Sequence, residues 1–111
     1  MKLSVFTVVL GDLSLREACA FLAAQGVDAV EIGCGGYPGV NHCDPKALLG
    51  NADAKKEFLG AIKDNGLELA ALSVHGNPVH PDKNIARSFH EEYVNAVRLA
   101  GELGVSRVVT F

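Results

Sequence analysis

The sequence lacks a run of basic residues, a CxxC pair, and a leader with a small-residue cleavage site. Each absence excludes something. Phosphate backbones are bound by clustered Lys and Arg, and the net charge here is −3, so nucleic acid is not the expected partner. The apolar run Leu3 to Leu10 is too short to span a membrane, is interrupted by Ser4 and Thr7, and has only Lys2 before it. Cysteine is scarce and odd in number: Cys19, Cys34 and Cys43 read as reduced thiols of a cytosolic chain, with no disulfide framework and no zinc ribbon. Charged residues are only 21% against 49% hydrophobic, which makes a packed core feasible and disorder unexpected. At 111 residues the chain suits one domain.

What is present is a repeated grammar. "AAQGVDAVEIG" (Ala23 to Gly33), "KDNGLELAALS" (Lys63 to Ser73) and "GELGVSRVVTF" (Gly101 to Phe111) each close a helical pattern with glycine and continue into an apolar run. The marker glycines Gly26, Gly66 and Gly104 stand roughly forty residues apart. Glycine suits the left-handed position after a helix, and the apolar run that follows suits a buried parallel strand.

Helices are predicted over Leu15 to Ala24, Asp53 to Asp64 and Ile85 to Leu103. Ser14 and Glu17 form the S-x-x-E pattern that opens the first. Ala86, Phe89, Tyr93, Ala96, Val97 and Ala100 recur at three and four along the last, the spacing of one helix face. Strands are predicted over Leu3 to Leu10, Ala29 to Gly33, Leu67 to Val74 and Arg107 to Phe111. The order β-α-β-α-β-α-β implies parallel strands joined by right-handed crossovers.

Two architectures fit that order: a small doubly wound sheet, or part of a (β/α)₈ barrel. Strand faces favour the barrel. Ala70, Leu72 and Val74 form one apolar face, while Leu69, Ala71, Ser73 and His75 turn polar toward the strand's end. Likewise Ala29, Glu31 and Gly33 oppose Val30 and Ile32. An interior that becomes polar at its C-terminal rim is the barrel pattern. A whole barrel takes about 250 residues, so four strands and three helices make about half of one.

"GVDAVEIGCGGYPG" and "LSVHGNPVHPD", followed by a long helix and "GVSRVVTF", resemble the N-terminal half of the sugar phosphate isomerase/epimerase family, whose fold is the xylose isomerase-like TIM barrel. The resemblance covers nearly the whole chain. It implies metal-assisted proton transfer next to a sugar carbonyl, with Mn, Mg or Zn as Lewis acid in a full-length form. It also implies that the main metal ligands lie on later strands, so that this chain alone would be silent and without metal. An endonuclease IV-like zinc barrel is a related alternative, with His75 matching its first histidine. A non-catalytic module that binds a small molecule or a protein on the same fold is another.

Four residues are candidates for contact with a sugar or sugar phosphate. His75 ends the third strand, where barrels place catalytic groups, and could equally cap the strand on a loop carbonyl. Glu31, inward on the second strand, could take a sugar hydroxyl or merely bond a neighbouring strand. His42 and His80 lie in loops at the same rim, where a lone histidine is commonly just solvated. His75 and His80 lack helical spacing, and Asp82 is the only carboxylate near them in sequence, so no structural zinc is expected. Cys34 and Cys43 have no fixed base, so neither reads as a nucleophile. "GCGGYPG" matches no phosphate-loop pattern and reads as a wide loop, and "HEEYVNAVR" reads as a solvated helix face. Open strand edges predict self-association.

Overall fold

The computed structural model describes all 111 residues, Met1–Phe111. Strand β1 (Ser4–Phe6) leads through a 3₁₀ turn (Thr7–Leu10) to helix α1 (Leu15–Ala24) and strand β2 (Ala29–Gly36). Helices α2 (Pro45–Leu48) and α3 (Ala52–Lys63) follow, then strand β3 (Glu68–His75), helix α4 (Lys83–Leu103) and strand β4 (Val108–Val109). The sheet order is β1-β2-β3-β4 and every pairing is parallel.

Sequential order decides between the two architectures. Right-handed crossovers that always step to the next strand keep every helix on one side of the sheet. The core confirms this: Val30, Ile32 and Cys34 of β2 and Leu72 and Val74 of β3 share a single cluster with Cys19 and Leu22 of α1, Phe58 and Ile62 of α3, and Leu99 of α4. There is one helical layer, and the unit is a partial TIM-barrel sheet. Ile32, Ile62, Leu72 and Leu99 are completely buried, each worth about 1.5–3 kcal/mol.

Local chemistry explains the helix starts. Ser14 Oγ accepts from the Glu17 N–H at 3.2 Å, and Glu17 Oε2 accepts from the Ser14 N–H at 3.0 Å. Asn51 and Asp82 cap α3 and α4 through their side-chain oxygens. Gly26, Gly66 and Gly104 all take left-handed φ, as the repeat requires.

Several expected boundaries shift. Only Ser4–Phe6 of the run Leu3 to Leu10 joins the sheet. The rest leaves the sheet as the 3₁₀ turn, with Thr7 buried against His42 and Val8 and Val9 exposed. The second strand runs on to Gly36, past the expected end at Gly33, and the fourth is shorter than expected. Helix α2 was not foreseen, although Asp44 caps it and Pro45 sits at its first turn. On α4, which lies over β2 and β3, the buried face centres on Ala96, Leu99 and Ala100, with Tyr93 and Val97 partly exposed at its edge. Between Val30/Leu69 and Glu31/Ala71 the strand register skips a residue, so Leu69 packs against the core instead of sharing the face of Ala71.

Candidate functional site

The side of β2 and β3 away from the helices carries the candidate chemistry. Glu31 pairs in register with Ala71, and Gly33 with Ser73. Ser73 is fully buried, and its hydroxyl donates to Glu31 Oε1. This short bond links neighbouring strands and fixes the carboxylate, whose second oxygen bonds nothing else in the chain. Ser73 was absent from the expected site residues. A serine two positions before a strand-end histidine was the available signal.

His75 ends β3 half-buried, with its ring edge-on to Phe6 at 6.4 Å and tilted against Phe111 at 4.9 Å. Its Nδ1 is sealed from solvent and has no hydrogen-bond partner. The backbone around it is unusually close. The Tyr37 N–H donates to the His75 carbonyl at 2.7 Å. A Cβ on Gly36 would lie 2.1 Å from that same oxygen, and a Cβ on Gly76 would lie 2.4 Å from the Phe89 ring. Glycine is needed at both places because the neighbouring group occupies the space of a side chain. Gly36 also takes φ +68°.

The loop after β2 is therefore not wide. The Gly35 N–H reaches the Gly39 carbonyl at 3.0 Å, and the Gly36 N–H donates to Glu92 Oε2 at 2.6 Å. Glu92 thus leaves the expected solvated face of α4 and anchors the loop, half-buried. Above the loop, Tyr37 packs against Phe89 at 5.3 Å and Phe111 at 6.1 Å. Behind this aromatic wall lies a cavity of about 300 Å³, lined by Val74, Pro78, Phe89, Tyr93 and Phe111 among others.

The two loop histidines stand elsewhere. His42 is buried rather than solvated: Nε2 lies 2.8 Å from the Leu13 carbonyl and Nδ1 lies 2.9 Å from Thr7 Oγ1. A carbonyl only accepts, so Nε2 carries the hydrogen and Nδ1 of the neutral ring accepts from the threonine hydroxyl. Both nitrogens are occupied in fastening the loop, one to the 3₁₀ turn and one to the segment before α1. His80 Nδ1 accepts from the Asp82 N–H at 3.0 Å, which shapes the turn leading into α4. Of the four candidates, Glu31 and His75 stand on adjacent strands with free valencies, while His42 and His80 hold loops.

These features find a match among known proteins. A family model described as a xylose isomerase-like TIM barrel matches residues 19–111. The chain belongs to the xylose isomerase-like TIM barrel family. It is also 34% identical over 109 residues to the uncharacterized protein YfiH of Bacillus subtilis (strain 168), an alignment covering 98% of this chain. The chain spans about a third of that relative's length, 34%. No helix is long and apolar enough to cross a membrane.

The donor set here bears on the divalent metal that the resemblance implies. No group of three or more His, Cys, Asp or Glu side chains could hold a metal ion. His75, the histidine with an unpartnered nitrogen, has Phe6 and Phe111 beside its ring. These residues do not form a metal shell by themselves.

Proposed function

We propose that this chain forms the sugar-contacting N-terminal part of a sugar or sugar-phosphate isomerase or epimerase. The observation that supports this reading is the arrangement of Glu31, Ser73 and His75. Ser73 and His75 lie in the last three residues of β3, the end where barrels of this kind carry their sites, and Glu31, in register with Ala71 farther back on β2, reaches Ser73 through its carboxylate.

The chemistry follows from what each group has left to offer. Glu31 has one oxygen taken by Ser73, and its other oxygen accepts a sugar hydroxyl. With His75 Nδ1 sealed from solvent, Nε2 is the nitrogen left to meet a substrate hydroxyl or carbonyl oxygen. Held together, such groups orient the carbon–carbon unit between which a proton moves. A metal in the full-length enzyme would polarise the carbonyl and would draw its ligands from beyond these residues. The chain alone is expected to bind sugar weakly and to turn none over.

Titration with a panel of aldoses, ketoses and their phosphate esters, followed by NMR, tests this. Saturable shifts at the His75 ring and at the Glu31 and Ser73 amides are expected, and Glu31→Gln should weaken them. If no sugar moves those signals, or if the shifts map to the opposite end of the strands, the reading fails.

A further inference from the structure

One motif of the sequence is left over by the fold. The recurring face of α4 splits in two: Ala96 and Ala100 are buried in the core, whereas Phe89 and Tyr93 belong neither to the core cluster nor to the apolar residues packed against it. Tyr37 and Phe111 also stand outside the core, 66% and 83% exposed. These four make up more than half of the chain's aromatic side chains, two tyrosines and five phenylalanines, and they gather at one place. Phe89, Tyr93 and Phe111 line the cavity of about 300 Å³, and Tyr37 packs on Phe89 and Phe111. Apolar rings grouped at the surface in this way mark a contact site.

The rest of the lining selects the kind of ligand. No Asp, Glu, Lys or Arg borders the cavity; Val74, Gly76, Pro78, His90 and Thr110 complete it. A phosphate or carboxylate would lose its water there without gaining a fixed cation. Gly76 has no side chain to push the Phe89 ring away, since a Cβ there would lie 2.4 Å from it. The ring therefore lies against the turn after β3 as one wall. Walls of Phe and Tyr pair with another aromatic ring in offset or tilted contact. An apolar cavity of about 150 Å³ takes benzene, so the larger space here takes a ring and the atoms that tether it.

Position selects what carries the ring. Gly76 follows His75 directly, and the Phe111 ring that lines the cavity also lies 4.9 Å from the imidazole. We propose that this cavity is a subsite for a neutral aryl group borne by the sugar, on an oxygen away from the carbonyl that reacts. The substrate class is then an aryl-substituted sugar. This rests on the reading of Glu31, Ser73 and His75 as sugar contacts.

The test is NMR titration of the unaltered chain with phenol, with benzoate, and with the methyl and phenyl β-glycosides of glucose, galactose and xylose. Glycosides have no free carbonyl, so they report binding alone. Phenol should shift the ring signals of Phe89, Tyr93 and Phe111 saturably, and benzoate at the same concentration should not. Phenyl glycosides should move those rings together with the Glu31 and Ser73 amides, and bind about tenfold tighter than the methyl glycoside of the same sugar. Tyr93→Ser, at a partly exposed helix position, should erase that difference. Rings unmoved by phenol, or moved equally by benzoate, would overturn the subsite. So would phenyl and methyl glycosides that bind alike while shifting Glu31 and Ser73, a result that spares the sugar reading. Ring shifts with phenol, but silence at Glu31 and Ser73 with every glycoside, would sink the sugar reading and with it the claim that a sugar carries the ring.

Discussion

The contact between Gly36 and the His75 carbonyl can be weighed against a control inside the same fold. Gly36 and Gly66 have nearly equal φ, +68° and +73°. A Cβ on Gly66 would meet nothing within 4 Å, whereas one on Gly36 would lie 2.1 Å from His75 O and 2.5 Å from its carbonyl carbon. Left-handed φ costs an alanine about 1–2 kcal/mol, part of which is offset by a stiffer unfolded chain. Gly66→Ala should therefore cost about 1 kcal/mol. Gly36→Ala carries that same strain and must also move the His75 carbonyl by roughly an ångström, since contacts under 3.0 Å do not persist. The Tyr37 N–H···O bond at 2.7 Å would be lost, worth about 1 kcal/mol, and overpacking adds about 1–3. The sum is about 3–5 kcal/mol, out of about 5–15 for a whole domain. Thermal unfolding followed by circular dichroism should show Gly66→Ala lowered by roughly 4–6 °C and Gly36→Ala by more than about 12 °C. In the second variant, NMR signals of Tyr37 and His75 should also move most. Equal losses for the two variants would refute the close approach and with it the account of how His75 is held.

Other outcomes follow from the same contacts. His42→Ala should cost about 3 kcal/mol in urea unfolding, because it removes two hydrogen bonds and strands the buried Thr7 hydroxyl. Glu102 is held below its ordinary value of 4.5 by the Lys55 ammonium and by the Gly50 N–H. A depressed carboxylate stabilises the fold above its unfolded pKa and loses that contribution as pH falls through the folded one, so acid-unfolding curves of Glu102→Gln should flatten below pH 4.5. Strands β1 and β4 each have one unpaired edge. Sedimentation equilibrium should show reversible self-association of the chain, and a monomer at every concentration would dispose of that expectation.

Legibility in the sequence divided along physical lines. Helix periodicity, the S-x-x-E start and the glycine stops are local, and local patterns found α1, α3, α4 and the parallel pairing of the strands. The shared face of Glu31 and Ser73 was likewise legible, because alternation along a strand assigns a face without knowledge of neighbours, although β2 runs on to Gly36 and leaves Glu31 short of the strand end where it was expected. What depended on long-range contacts was hidden. Nothing near Thr7 in sequence announces His42, thirty-five residues away, against which the threonine is buried where the chain leaves the sheet. Glu92 looks like any exposed helix carboxylate until Gly36 arrives beneath it from fifty-six residues back. The one-residue skip beside Leu69 is a property of two strands together, so alternation along β3 alone misplaced that side chain. Helix α2 was the exception: Asp44 and Pro45 form a local start signal that could have been read.

The rim around His75 is built more by backbone than by polar side chains. Gly36 and Gly76 flank it in space and in sequence, Tyr37 bonds its carbonyl, and Phe6 and Phe111 border its ring. The imidazole is thus oriented without using either nitrogen. A buried polar atom left without a partner costs about 1–3 kcal/mol, and a fold that only needed to fill this space could do so with an apolar ring of similar size. His75→Phe should accordingly leave stability unchanged or raise it while abolishing the sugar-dependent shifts at Glu31 and Ser73. A variant that instead unfolds would mean that the ring's nitrogen serves the fold, and that the place of His75 among the sugar contacts has to be surrendered.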